Sequence, residues 1–283
     1  MSQTRWNNAV VIGVGLIGGS IGLALLRRNL ADRVTGVGRR RESLEAAAEV
    51  GAVTEWTLDL AEGVSEADLI IVCSPVSLIP EHAKAAAVAC PEGTLITDAG
   101  STKGRLVEQH YGDLGRGVRF LGSHPMAGSE KSGPRFASAD LFEDRATILT
   151  PTEDSLDADV KTLTDFWTSL GARVVELSPS RHDEMLAFAS HLPHLIAVAA
   201  AAAIPVESQP YSAGGFRDVT RIAAGKPDLW RQIFLENRDA VLTALDAFDH
   251  SLDALRGALR DGDPDALLDL LSQAKRNRDA LGS

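Results

Sequence analysis

The stretch Ala9-Val-Val-Ile12-Gly13-Val14-Gly15-Leu16-Ile17-Gly18-Gly19 decides how the chain is read. Its four apolar, mostly β-branched residues predict a buried strand. Glycines at 13, 15 and 18 then spell Gly-x-Gly-x-x-Gly where the strand ends. A helical pattern follows over Ile17–Arg28. A turn without side chains lets the backbone approach a pyrophosphate closely, and the helix that starts there offers it unpaired N–H groups and a positive dipole end. Gly13, Gly15 and Gly18, with Leu16 and Ile17 between them, are the expected dinucleotide cradle.

Further short apolar runs recur at Arg33–Val37, Leu69–Cys73, Leu95–Thr97, Arg119–Leu121, Ala146–Thr150 and Arg173–Glu176. Helical patterns such as Glu42–Val50 and Asp157–Leu170 separate most of them. This alternation predicts a parallel sheet with helices on both faces and the strand-ending loops gathered on one side. Those loops are Gly13–Gly19, Gly38–Arg41, Ser74–Ser77, Asp98–Lys103 and Ser123–Gly133, and each candidate site in this half falls on one of them.

Beyond Ser178 no strand signal remains. Phe234, Val241, Leu245, Phe248, Leu252, Leu255 and Leu259 follow a mostly three-to-four spacing, which predicts a seam between packed helices. Leu267, Leu268, Leu270 and Leu271 predict a short last helix, started by Pro264 and capped by Asp263. The expected organisation is an α/β, Rossmann-like dinucleotide-binding domain over residues 1–178. An all-α substrate and dimerisation domain over 179–283 completes it.

A length of 283 residues suits two domains. Lys and Arg number 28 against 39 Asp and Glu, a net charge of −11, which speaks against a nucleic-acid partner and against a polybasic membrane surface. A local pocket for a small anion is compatible with that sum. Two cysteines, Cys73 and Cys90, exclude a disulfide framework and a cysteine-rich zinc site, and their apolar surroundings suggest reduced thiols in a cytoplasmic protein. Met1–Asn8 is polar and unlike a signal peptide. Leu195–Ile204 is ten apolar residues where a membrane span needs roughly 20. It is expected to be a buried helix. Since Met185–Ile204 is apolar on nearly every side except Ser190, His191 and His194, a domain of this size cannot cover it alone. A homodimer through the helical domain is expected.

The residue that ends the second strand discriminates cofactors. NAD binding favours an Asp or Glu there, on the ribose hydroxyls. This chain instead reads Val37-Gly-Arg39-Arg40-Arg41 before Glu42. Arginines suit a 2′-phosphate through charge-assisted, bidentate bonds. The plain alternative is a solvated charge run, but cations ahead of a helix N-terminus oppose its dipole, and an anionic ligand would offset that. NADP is expected ahead of NAD, with Arg39 and Arg40 as its ligands.

Four more blocks carry chemistry: Asp98-Ala-Gly-Ser-Thr-Lys103, Gly122-Ser-His-Pro-Met-Ala-Gly-Ser-Glu-Lys-Ser-Gly133, Ser190-His-Leu-Pro-His194, and Gly214-Gly-Phe-Arg-Asp-Val-Thr-Arg-Ile222. With the glycine loop they resemble the prephenate/arogenate dehydrogenase family of tyrosine biosynthesis, in order and spacing, from about Asn8 to near the C-terminus. The resemblance implies oxidative decarboxylation, of prephenate to 4-hydroxyphenylpyruvate or of arogenate directly to tyrosine. It implies His124 as acceptor of the ring-hydroxyl proton, which an imidazole of pKa near 6.5 can do at neutral pH. By the same resemblance Ser101 would orient the hydroxyl and the histidine, Arg221 would grip a substrate carboxylate, and Ser190, His191, His194 and Gly214 would line the substrate pocket. Glu130 either pairs with the amino group of arogenate or orders a histidine for the keto group of prephenate. Ser74 and Pro75 resemble the family's nicotinamide-side loop.

A metal is not expected, since His191 and His194 are three apart and no third ligand is evident. Neither a fused chorismate mutase ahead of residue 9 nor a regulatory domain after Pro264 is expected. A two-domain hydroxyacid dehydrogenase would carry a catalytic lysine on the first long helix of its helical half, and none stands between Arg181 and Ile204. A non-catalytic NADP-sensing protein would have lost the proton acceptor or the carboxylate clamp; His124 and Arg221 are both present.

Overall fold

The computed structural model describes residues 5–109, 114–128 and 131–282. Its first half runs β1 (Trp6–Ile12), α1 (Leu16–Arg27), β2 (Ala31–Val37), α2 (Arg41–Glu49), β3 (Glu55–Thr57), α3 (Leu60–Val64), β4 (Leu69–Val72), α4 (Ile79–Ala89), β5 (Leu95–Asp98), α5 (Gly104–Gln109) and β6 (Arg119–Phe120). These strands form one parallel sheet in the order β3-β2-β1-β4-β5-β6. Ala9 and Val11 enter a different core from Val10 and Ile12, so the period of two along β1 buries both faces of the sheet. The short edge strand β3 carries no sequence signal of its own.

The expected single parallel sheet is corrected to two. Strands β7 (Gly122–Pro125), β8 (Ala146–Thr150) and β9 (Arg173–Glu176) form a second sheet, with β7 antiparallel to β8 and β8 parallel to β9. Helix α6 (Asp157–Ser169) connects β8 to β9. The split has a local cause. Leu121 still donates to Ile96 O in the first sheet, but Ser123, two residues on, gives its N–H to the Asp98 carboxylate instead of a ladder carbonyl. His124 therefore sits inside β7, opposite Ile148, and not on a loop. Pro125 is tolerated because β7 is an edge strand.

The second half comprises α7 (Pro179–Leu186), a π turn (Ala187–His191), α8 (Leu192–Ala203), α9 (Gly214–Thr220), α10 (Pro227–Glu236), α11 (Arg238–Asp261) and α12 (Pro264–Asp279). Ser178 Oγ accepts from Arg181 N and starts α7, and Asp263 caps α12 as expected. Pro193 has no N–H to give to Ala189, and the helix ahead of it widens into the π turn.

From Pro179 to Ala203 the chain is a continuous helical run of 25 residues, long and apolar enough by length and composition to cross a bilayer. The single chain, which is not expected to cover this helix alone, buries it only in part. Only a third of its most apolar window is covered, and Phe188 and Val198 are 46% and 42% exposed. Its inner face packs through Ala187 and Leu192 on Val241 and Ala244 of α11. The α11 seam is shorter than its spacing implies. Leu245 and Phe248 join the cluster; beyond Phe248 α11 meets α12, Ala258 is still buried, and Leu259 is 67% exposed.

Candidate active site

A crevice of ≈ 850 Å³ runs along the carboxyl edge of the six-stranded sheet. Gly13, Gly15, Leu16 and Ile17 form its floor. Gly13 has φ +96°, and a Cβ there would lie 2.8 Å from the Cys73 carbonyl. A Cβ on Gly18 would lie 2.4 Å from Gly13 O, so Gly18 does not line the crevice but lets α1 sit on β1. Among the described residues nothing lies within 4 Å of a Cβ built on Gly15, and no side chain caps the α1 N-terminus. Room and free N–H groups together fit a pyrophosphate.

Arg39 and Arg40 line the crevice behind β2. Arg41 does not: its guanidinium lies 5.2 Å from the Trp56 ring centroid. Ser74 and Pro75 line the other wall, where Ser74 Oγ is 2.9 Å from His82 Nδ1. His82 carries no signal in the sequence. Burial, helped by the charge of Arg39, holds it below its usual pKa against the pull of Glu81.

Ser101 lines the same crevice, at the tip of the loop after β5. The loop is wrapped around Lys103, whose fully buried ammonium donates to Asp98 Oδ2 at 2.8 Å, Gly100 O at 2.6 Å and Thr102 O at 3.2 Å. Asp98 in turn accepts from Gly100 N and Ser123 N. One buried ion pair thus fixes both the Ser101 loop and the residue before His124.

His124 is buried, and its Nδ1 lies 2.8 Å from His182 Nε2. His182 Nδ1 lies 2.8 Å from Asp183 Oδ1, and the Asp183 carboxylate accepts from Lys103 N and Gly104 N. Burial drives His124 well below its usual pKa, and the Lys103 charge adds to that. His182 is also lowered by burial, against its bond to Asp183. Burial would raise Asp183, but the His182 bond and the Gly104 and Lys103 N–H groups outweigh it and hold the carboxyl below its ordinary range.

His191 Nδ1 is 3.1 Å from Asn237 Nδ2, which also donates to Asp183 O. Burial brings His191 down to about 4. His194 stacks on Trp230 with ring centroids 3.5 Å apart, and its buried Nδ1 has no partner among the described residues. Ser190 is half-buried on the π turn. Gly214 and Arg221 are exposed in the single chain and do not line the crevice; Arg221 begins a short turn packed on α8. Glu130 lies outside the described residues. His182, Asp183, Trp230 and Asn237 join the site without any motif in the sequence to announce them.

Four buried imidazoles below their solution pKa have a consequence for stability. The unfolded chain binds protons from pH 6.5 downward while the folded one resists them, so stability is complete above about 6.5 and falls in acid. His191 alone, at about 4 when folded, is expected to cost on the order of 2 kcal/mol at pH 5 relative to pH 8. Urea unfolding at the two pH values checks this, and equal midpoints would contradict it.

Comparison with known proteins places this arrangement. The family model described as prephenate dehydrogenase, nucleotide-binding domain, matches residues 21–176, and that described as prephenate dehydrogenase, dimerization domain, matches residues 178–273. The chain is 35% identical to a cyclohexadienyl dehydrogenase of Zymomonas mobilis, over 99% of this chain and 97% of that one. A crystal structure of prephenate dehydrogenase from Aquifex aeolicus, in complex with hydroxyphenyl propionate and NAD+, is 32% identical with TM-score 0.90, covering 99% of this chain and 100% of that one. A Synechocystis arogenate dehydrogenase structure is 29% identical with TM-score 0.82, covering 97% and 99%.

Proposed function

Since this chain belongs to the prephenate dehydrogenase family and is an NAD(P)-dependent oxidoreductase, we propose that it converts prephenate to 4-hydroxyphenylpyruvate by oxidative decarboxylation. The observation that carries this reading is the buried, neutral imidazole of His124, fixed beside the loop that puts Ser101 into the dinucleotide crevice. A bound nicotinamide dinucleotide supplies the hydride acceptor. Residues 1–178 bind it, with Gly13, Gly15, Leu16 and Ile17 under the pyrophosphate and Ser74 and Pro75 on the nicotinamide side.

His124 accepts the ring-hydroxyl proton as the hydride leaves the same carbon and a carbonyl forms. Ser101 orients the hydroxyl. The ring carboxylate then departs as CO₂, its bonding pair aromatises the ring, and His124 returns the proton to the phenolate oxygen. Atoms and charge balance without another reactant, and aromatisation supplies the driving force.

Arg221 grips a substrate carboxylate, and Gly214 and Ser190 are assigned to the same substrate pocket. His191 and His194 meet the side-chain end as neutral groups. Prephenate is proposed ahead of arogenate because an ammonium needs an anion there, and among the described residues the carboxylate acting on His191 is already committed. That carboxylate, Asp183, is engaged by His182 and two backbone N–H groups. A second copy covers the exposed faces of α8 and α11 in residues 179–283, and the name of the dimerization-domain family supports this. Two free cysteines suit the cytoplasm as its place of work.

NADP is the proposed cofactor, held by Arg39 and Arg40. Reduced-cofactor absorbance, followed with prephenate or arogenate and with NADP or NAD, tests the whole reading. The expected order is prephenate over arogenate and NADP over NAD in kcat/KM. Exchanging both Arg39 and Arg40 for alanine is expected to lower the NADP:NAD ratio about tenfold or more. No reduction with either substrate refutes the function, and a tenfold preference of the unaltered protein for NAD refutes the phosphate site.

A further inference from the structure

The contact between His124 and His182 joins β7 to α7 across the meeting of the two halves, and it has a directional logic. A carboxylate is an acceptor only. Asp183 takes N–H groups from Lys103 and Gly104, and its 2.8 Å contact with His182 Nδ1 requires the hydrogen on that nitrogen. Neutral His182 then has its lone pair on Nε2. The 2.8 Å contact to His124 Nδ1 must be donated by His124. His124 is left with its lone pair on Nε2, the nitrogen pointing away from the relay.

Left to itself, a neutral imidazole favours the opposite tautomer, with the hydrogen on Nε2, and could not accept there. We propose that His182 and Asp183 are positioning residues that set the His124 tautomer and share the positive charge it acquires. This rests on the reading of His124 as the proton acceptor.

When His124 takes a proton on Nε2, its Nδ1–H already points at His182 Nε2, and His182 Nδ1–H points at the carboxylate. The charge is thereby coupled to Asp183 through one intervening ring, in surroundings where charges act strongly. The other charges on His124 oppose its protonation or are already committed. Lys103 disfavours the imidazolium, Asp98 is paired to Lys103, and His191 is itself held neutral. Among the described residues, Asp183 is the carboxylate placed to favour it through hydrogen bonds. The anchor is rigid, because its acceptors hold the first N–H groups of α5 as a cap would. The logic is that of a Ser-His-Asp triad with a second imidazole inserted.

Replacement of His182 tests this in the full-length protein. H182F removes the acceptor, and kcat is expected to fall about a hundredfold or more while substrate KM and cofactor Kd stay within threefold. H182Q offers an amide oxygen to His124 Nδ1–H, so the tautomer survives without the charge relay and much of the lost rate returns. Imidazole ¹⁵N spectra should show His124 protonated on Nδ1 in the unaltered protein and in H182Q, and reverted in H182F. If H182F does not fold, H182Q and the spectrum of the unaltered protein decide. A His124 with its hydrogen on Nε2 overturns the proposal. So do H182F and H182Q lowered equally with raised KM, which marks a merely structural residue. H182F at full rate beside an inactive H124N overturns the relay alone; an active H124N instead overturns the reading of His124.

Discussion

H124N is expected to lose about three orders of magnitude in kcat, or roughly 4 kcal/mol of transition-state stabilisation, with substrate KM nearly unchanged. The asparagine amide falls near the position of the imidazole Nδ1, so it can still donate to His182 Nε2 and the β7 pairing with β8 is untouched. What is lost is Nε2, the atom assigned to the hydroxyl proton. Cofactor binding should survive, because His124 does not line the dinucleotide crevice. Steady-state kinetics with prephenate, beside a cofactor titration, separate the two. A fall of less than tenfold would remove His124 from the mechanism, whatever the family resemblance.

The parts of this site that are legible in the sequence are those whose chemistry is local. The glycine loop is legible because strand, turn and helix adjoin within a dozen residues, so Gly13 and Gly15 reach the crevice by local geometry alone. Arg39 and Arg40 follow directly from the end of β2. Arg41, the next residue, is lost to the site because the start of α2 turns it onto Trp56, a contact invisible in the run of charges. The relay is illegible for a different reason. His182 is 58 residues from its partner, in a polar stretch, Ser180-Arg-His-Asp-Glu184, that reads as an ordinary solvated helix start. Only the packing of α7 on α5 makes it an interior feature. The same holds for the second sheet: a side chain, Asp98, takes a strand's N–H, and no periodicity records that.

The heaviest stability effect should come from Lys103 rather than from any apolar residue. Both Lys103 and Asp98 are wholly excluded from solvent, and together they hold N–H or C=O groups of Gly100, Thr102 and Ser123. K103M keeps most of the side-chain volume and deletes the charge, leaving a buried carboxylate without its cation. Breaking a buried pair from one side costs about 3–5 kcal/mol, whereas removing both charges together is often close to neutral. K103M is therefore expected to lower Tm by on the order of 10 °C for a chain of this size, and D98N/K103M to recover a good part of that. The recovery should be incomplete, because the amide that D98N introduces can accept from Ser123 N or Gly100 N through its one oxygen but not from both. Activity should fall further than stability, since Ser101 sits on the loop wound around the ammonium and Ser123 precedes His124 in β7. Thermal unfolding of both variants, with kcat measured well below their midpoints, checks each part. A K103M protein as stable as the unaltered one would mean that the carboxylate is accommodated by its N–H donors alone. The ion pair would then have no part in holding the Ser101 loop and the His124 strand together.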